Sequence, residues 1–144
     1  MILALFEPAP SRKNTPLPMM RDPVPAGFPS PAADCMEGML DLNEHLIRRP
    51  AATFIVRVEG DSMTGAGICS GDLAVVDRSL KPRNNDIVIA VVGGELTVKR
   101  LVKTRDSIML APENPSFKPI VLRDENDLLV WGVVSAIVRT LRTD

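Results

Sequence analysis

The chain has 144 residues, of which 45% are hydrophobic and 24% charged, and this composition is typical of a globular protein with one domain and some additional chain. Its net charge is -1 at pH 7. Proteins whose main task is to bind nucleic-acid phosphates carry a basic surface, so this charge argues against that class.

Metal sites and membrane anchors are not predicted either. The two cysteines, Cys35 and Cys69, and the single histidine, His45, supply too few ligands for a tetrahedral zinc site, and no cofactor is expected. The apolar start of the chain ends at Glu7, which is too early for a signal peptide or for a membrane helix of about 20 residues. We therefore expect a cytoplasmic protein with reduced thiols.

Residues 1–33 differ from the rest of the chain because they contain eight of its 13 prolines. Proline lacks an N–H group and biases the preceding residue towards extended conformations. The sequence therefore predicts an extended, accessible arm that forms no regular helix and joins a sheet only at an edge. Within it, Ala26 and Gly27 flank one peptide bond with minimal side-chain bulk, so a nucleophile can approach that carbonyl with little obstruction. A disordered tail is the alternative interpretation.

A short helix is predicted after the arm. Asp41-Leu42-Asn43-Glu44 has the pattern of a capping box, and Pro50 ends the helix. Its apolar face would consist of Leu42, Leu46 and Ile47. His45 lies in this helix without a second histidine or a catalytic partner nearby, so we expect it to have no functional role.

From Thr53 onward the pattern is that of short β-strands separated by turns. Gly93-Gly94 is a two-residue hairpin signal between two of these strands. The predicted strands are 53–59, 73–76, 87–92, 95–101, 107–110 and 128–138. Residues 34–144 are therefore expected to form a mostly β, antiparallel domain that is curved and partly closed.

Two residues in these segments suggest a nucleophile and its base. Ser62 follows Gly60 at the end of a strand, where a tight backbone can present a hydroxyl together with N–H groups for an oxyanion. A serine needs a base to remove its proton, and a neutral lysine such as Lys99 can do so. Lowering a lysine pKa from about 10.4 to near 7 disfavours the charged form by about 4–5 kcal/mol, which requires a dry setting. Most strand lysines are solvated, and alternation alone leaves the burial of Lys99 open. Taken alone, Gly60-Asp61-Ser62-Met63 also fits a plain turn.

The chain from about Gly27 to near the C-terminus resembles the LexA/UmuD family of self-cleaving Ser/Lys proteins. The segments that carry the resemblance are Gly27-Phe28-Pro29-Ser30-Pro31-Ala32-Ala33-Asp34, Asp41-Leu42-Asn43, Gly60-Asp61-Ser62-Met63, Ser70-Gly71-Asp72-Leu73, Asp86-Ile87-Val88-Ile89-Ala90 and Thr97-Val98-Lys99-Arg100-Leu101. The arm upstream of Gly27 matches the family less well.

The resemblance implies that Ser62 is the nucleophile and Lys99 the general base. It implies that the N–H groups of Asp61 and Ser62 form the oxyanion hole and that the Ala26-Gly27 bond is cut, which releases the arm. Cleavage would be stimulated by the RecA filament on single-stranded DNA. The shortened product would form a homodimer and join a UmuC-type subunit in an error-prone translesion DNA polymerase of the SOS response, without binding a specific DNA sequence or a membrane itself.

Three other interpretations make different demands on the sequence. A LexA-type repressor needs a helix-turn-helix domain before the cleaved bond, and proline-studded residues 1–26 cannot build one. A signal peptidase needs a membrane anchor, which the sequence does not predict. A non-catalytic β module that only binds a polymerase partner is the alternative from a different functional class.

Overall fold

The computed structural model describes residues 14–21, 36–123 and 129–143. These residues divide into two compact units, one reaching to Arg48 and the other starting at Arg49. The predicted boundary between residues 33 and 34 lies outside the described residues.

The first unit is a two-stranded antiparallel sheet followed by a short helix. Strand β1 (Pro16–Met20) pairs with β2 (Met36–Asp41), with a register shift between Met19 and Met20. A strand containing Pro16 and Pro18 lacks two N–H donors, which a two-stranded sheet tolerates because each strand has a free side. This part of the arm is therefore extended and lies at a sheet edge, as the prolines predict.

Helix α1 (Leu42–Leu46) begins where the sequence predicts. The carboxylate of the N-cap residue, Asp41, accepts a hydrogen bond of 3.0 Å from the N–H group of Asn43. The helix stops at Leu46, before Pro50, and has little more than one turn. The predicted apolar face is therefore wrong at Leu42, which is 52% exposed, because so short a helix cannot bury three apolar side chains along one side.

The second unit contains a seven-stranded antiparallel sheet in the order β3-β4-β9-β5-β6-β7-β8. Its strands are β3 (Thr53–Arg57), β4 (Leu73–Asp77), β5 (Ile87–Val92), β6 (Glu95–Lys103), β7 (Ile108–Ala111), β8 (Ile120–Leu122) and β9 (Leu129–Val138). The mostly β, antiparallel prediction is confirmed, whereas its curvature and partial closure stay a prediction. The short strand β8 was not predicted. No helix in the part of the chain that the structure describes has both the length and the apolar character to cross a membrane.

The hairpin between β5 and β6 sets the position of Lys99. Gly93 and Gly94 join the two strands with φ angles of 57° and 84°, which glycine adopts without steric cost. This turn fixes a register in which Lys99 lies opposite Val88, a residue with no exposed surface. The glycine pair therefore places the lysine in the middle of a covered sheet.

Strand β5 contributes to hydrophobic clusters on both sides of the sheet. Ile89 packs in one cluster with Val58 and Met63, whereas Val88 belongs to the other cluster. This division follows the alternation of side chains along a strand. Met63, the residue after Ser62, is 2% exposed, so the first cluster anchors the segment that carries the serine.

Candidate active site

Ser62 lies in an irregular segment after β3. Gly60 precedes it with a φ angle of 91°, a conformation that favours glycine. A 3₁₀ helix (Thr64–Ala66) follows and is capped by Gly67 in the left-handed region, at φ 80°. Ser62 is partly buried, since its neighbour Met63 is packed into the core. The local sequence thus turns the chain sharply and holds the serine at the rim of the core.

Glu113 and Asn114, which follow β7, hold this segment through hydrogen bonds. The N–H group of Glu113 donates to the carbonyl oxygen of Ser62 at 2.7 Å, and the N–H group of Gly65 donates to the carbonyl oxygen of Glu113 at 2.7 Å. The side-chain amide of Asn114 donates to the carbonyl oxygen of Asp61 at 2.9 Å. Sequence reasoning missed Glu113 and Asn114, because neither strand alternation nor turn chemistry links residues so distant in the chain.

An ion pair between the buried Asp72 and the partly exposed Arg139 fixes the loop that returns from Ser62 to β4. The Asp72 carboxylate, in a residue that is 2% exposed, accepts hydrogen bonds from Arg139 at 2.7 and 2.6 Å and from the N–H group of Cys69 at 2.8 Å. Arg139 also donates to the carbonyl oxygen of Gly67 at 2.8 Å. These hydrogen bonds, with Arg139 as the main cause, lower the pKa of Asp72 to about 2.

The Asp72 ion pair predicts a loss of stability in acid. Its pKa of about 2 in the folded state lies below the value of about 3.9 for an unfolded chain, so its stabilising effect is complete above pH 4 and disappears as the pH falls through 2. We expect Arg139→Gln to flatten this dependence, because the Asp72 pKa then returns towards its ordinary value. Urea midpoints between pH 2 and 5 would measure it through the fluorescence of Trp131, the only tryptophan in a chain without tyrosine.

The matched control for this change is Arg105→Gln, because Arg105 is exposed and lies outside the Asp72 cluster. The control should keep the acid dependence of the unaltered protein. An Arg139→Gln protein that loses stability as steeply as its parent over this pH range would contradict the assignment.

The structure brings Ser62 and Lys99 together, although they lie 37 positions apart in the chain. The Nζ atom of Lys99 donates to Ser62 Oγ at 2.8 Å and to the carbonyl oxygen of Val98 at 3.2 Å. Burial lowers the pKa of the Lys99 ammonium below its ordinary value, because removal from water disfavours the charged form. The arrangement therefore pairs a hydroxyl with an amine that loses its proton more readily than a solvated lysine.

The remaining candidate residues are placed as follows. Within the described residues, the N–H groups of Asp61 and Ser62 donate no hydrogen bond to another protein group. The Ala26-Gly27 bond and Cys35 lie outside the described residues. Cys69 is an exposed free thiol, and His45 is exposed on α1. Among the described residues, no group of three or more His, Cys, Asp or Glu side chains is placed to hold a metal ion.

A cavity of about 300 Å³ opens beside Ser62. Its wall is about half polar and half apolar: Met63, Ile89 and Val98 supply apolar groups, whereas Arg57 and Glu59 supply charged ones. The full lining consists of Val56, Arg57, Val58, Glu59, Gly60, Ser62, Met63, Ile89, Leu96, Thr97 and Val98. A cavity of this size can accept small side chains next to the serine hydroxyl.

Comparison with known proteins identifies the family of the chain. Residues 18–135 match the family described as Peptidase S24-like. Protein SamA of Salmonella typhimurium is 48% identical over 142 residues, which cover 99% of both chains. Protein MucA of Salmonella typhimurium is 38% identical over 91% of this chain and 90% of its own. LexA repressor 1 of Geobacter sulfurreducens is 44% identical over 82% of this chain and 58% of its own. The chain belongs to the Peptidase S24-like family, in agreement with the resemblance of its motifs to LexA/UmuD proteins.

Proposed function

We propose that this protein is a self-cleaving serine endopeptidase in which Ser62 is the nucleophile and Lys99 the general base. The observation that carries the proposal is the 2.8 Å separation between Lys99 Nζ and Ser62 Oγ. It is supported by the burial that lowers the pKa of the lysine and by membership of a peptidase family. The bond cut is Ala26-Gly27, which divides the proline-rich arm of residues 1–33.

The proposed reaction has two steps. Neutral Lys99 takes the proton of Ser62 Oγ, which attacks the carbonyl carbon of Ala26. The N–H groups of Asp61 and Ser62 donate to the resulting oxyanion. The C–N bond then breaks, the Gly27 amine leaves with the proton from Lys99, and the Ala26 acyl group stays on Ser62.

Water completes the reaction. Lys99, neutral again, takes a proton from a water molecule that attacks the acyl carbon. The ester bond to Ser62 then breaks, and the Ser62 oxygen takes this proton back from Lys99. The products are the fragment 1–26 with a new carboxylate at Ala26 and the fragment 27–144 with a new amine at Gly27.

The biological setting is proposed from the resemblance to LexA/UmuD proteins. Cleavage in the cytoplasm, stimulated by RecA on single-stranded DNA, yields a homodimeric accessory subunit for a UmuC-type translesion polymerase in the SOS response. The 34–144 segment supplies both catalysis and dimerisation. RecA acts in this proposal by shifting the arm towards the catalytic cleft and adds no catalytic group of its own.

The decisive experiment measures the intact mass of the chain after incubation with RecA, single-stranded DNA and a nucleotide. The expected result is a fragment that begins at Gly27 together with the released 1–26 peptide. Incubation without RecA at alkaline pH should give the same fragments more slowly, because alkali also generates neutral Lys99. A chain that keeps its full mass under both conditions would contradict the proposal.

A further inference from the structure

The strand that carries Lys99 is tied to the segment that carries Ser62 by the next side chain along it. Arg100 Nε donates to the carboxylate of Glu113, and Arg100 Nη1 donates to the carbonyl oxygen of Asn85 at 2.6 Å. The Arg100 and Glu113 side chains are 26% and 34% exposed, so water only partly competes for the contact. Because adjacent side chains of a strand point to opposite faces, Arg100 holds β6 without entering the Ser62–Lys99 contact itself.

The ion pair joins two residues that the pairing of β6 with β7 already holds near each other. Arg100 lies opposite Ala111 in the pairing of β6 with β7, and only Pro112 separates Ala111 from Glu113. The strand pairing thus fixes the chain up to Ala111, and the side chain of Arg100 fixes it two residues further on. Glu113 is therefore held relative to β6 from both its backbone and its carboxylate.

Glu113 in turn holds the serine segment. Its N–H group and its carbonyl oxygen bond to Ser62 and Gly65, both at 2.7 Å, so a displacement of Glu113 displaces Ser62. We infer that Arg100 and Glu113 are a positioning pair, which sets the distance between Lys99 Nζ and Ser62 Oγ through the loop that follows β7. This inference rests on the proposed function and concerns the geometry of the same catalytic site.

A positioning role and a direct electrostatic role of Arg100 and Glu113 would change the kinetics of self-cleavage in different ways. Loss of alignment lowers the rate of self-cleavage at every pH and leaves the midpoint of the pH profile unchanged, because the pKa of Lys99 is unaffected. If the charges of Arg100 and Glu113 instead acted on Lys99 directly, removing the cation would raise the midpoint and removing the anion would lower it. The two roles are therefore separable in one set of pH profiles.

The test measures RecA-independent self-cleavage of the full chain between pH 7 and 11 in Arg100→Ala, Glu113→Ala and the double variant. Because a misplacement of about 1 Å costs about 100-fold in rate, we expect each single change to lower the alkaline plateau by about ten- to one hundredfold. The midpoint should stay where it is in the parent. The double variant should be no slower than Arg100→Ala, because both changes remove the same connection.

Two further variants guard against a general loss of stability. Glu113→Gln keeps an oxygen that accepts from Arg100 but loses the charge, so it should retain most of the parent rate. Arg49→Ala breaks the Arg49–Asp77 ion pair, a 3.3 Å contact in the same unit but away from the site, and should cleave like the parent. Thermal unfolding followed by Trp131 fluorescence shows that each variant is folded at the assay temperature.

Parent-like rates in both alanine variants, or opposite shifts of their midpoints, would overturn the inference while leaving the proposed function intact. A Glu113→Gln protein as slow as Glu113→Ala would also overturn it. A parent chain that never cleaves itself would refute the proposed function, and the positioning role with it.

Discussion

Replacing Ser62 with alanine is expected to stop the release of residues 1–26 completely. The hydroxyl oxygen that forms the acyl intermediate is then missing, and in serine proteases loss of the nucleophile lowers the rate by as much as about 10⁶-fold. The cavity beside position 62 should persist, since Met63 and Ile89 still line it. Mass spectrometry after incubation at alkaline pH, and separately with the RecA filament, measures the remaining full-length chain.

Ser116→Ala is the matched control, because Ser116 is exposed. Among the described residues its one hydrogen bond is made by its N–H group, which donates to the side-chain oxygen of Asn114 at 2.9 Å. This control should release residues 1–26 at the parent rate. If the Ser62→Ala chain were also cut at Ala26-Gly27, the protein would be a binding module that another protease processes, and the catalytic proposal would be wrong.

The pH profile of self-cleavage should report the titration of Lys99. Below its pKa the amine is protonated and cannot accept the Ser62 proton, so the rate is expected to rise about tenfold per pH unit and then level off. Because burial lowers the pKa of Lys99, the plateau should begin below the ordinary lysine value of about 10.4. Lys99→Ala should remove the rise and lower the plateau by about 10²–10⁴-fold.

Lys99→Arg separates the loss of a base from the loss of bulk. Arginine stays charged at every pH of the experiment, so this variant should be as inactive as Lys99→Ala. Lys103→Arg is the control, because Lys103 lies on the same strand without a contact to Ser62. Cleavage of the Lys99→Arg chain with the parent's pH profile would assign the titrating group to another residue.

Much of the sheet could be predicted because its strands alternate and its turns contain glycine or asparagine. The Gly93-Gly94 pair determined the hairpin, and the hairpin determined which residue lies opposite Lys99. The capping role of Asp41 was equally readable, since it depends on contacts within a few residues. Contacts of this kind can be predicted because they depend on residues that are close together in the sequence.

Contacts between distant segments could not be predicted in this way. Alternation left the burial of Lys99 open, and burial depends on how the Ser62 segment packs over β6. The backbone bonds from Glu113 to Ser62 and Gly65 involve N–H and carbonyl groups that every residue except proline possesses, so the sequence carries no mark of them. The exposure of Leu42 is a similar case, because the number of turns in α1 decides which of its side chains are covered.

The close approach of Gly65 to Glu113 limits which amino acids can occupy position 65. A Cβ atom at position 65 would lie 2.4 Å from the carbonyl oxygen of Glu113, a backbone atom that cannot rotate away. Even the methyl group of alanine would therefore push the segment that contains Gly65 away from the segment that contains Glu113, and both segments adjoin the serine. In a randomised library selected for arm release, this position should tolerate no other amino acid, whereas the fully exposed positions around it remain permissive.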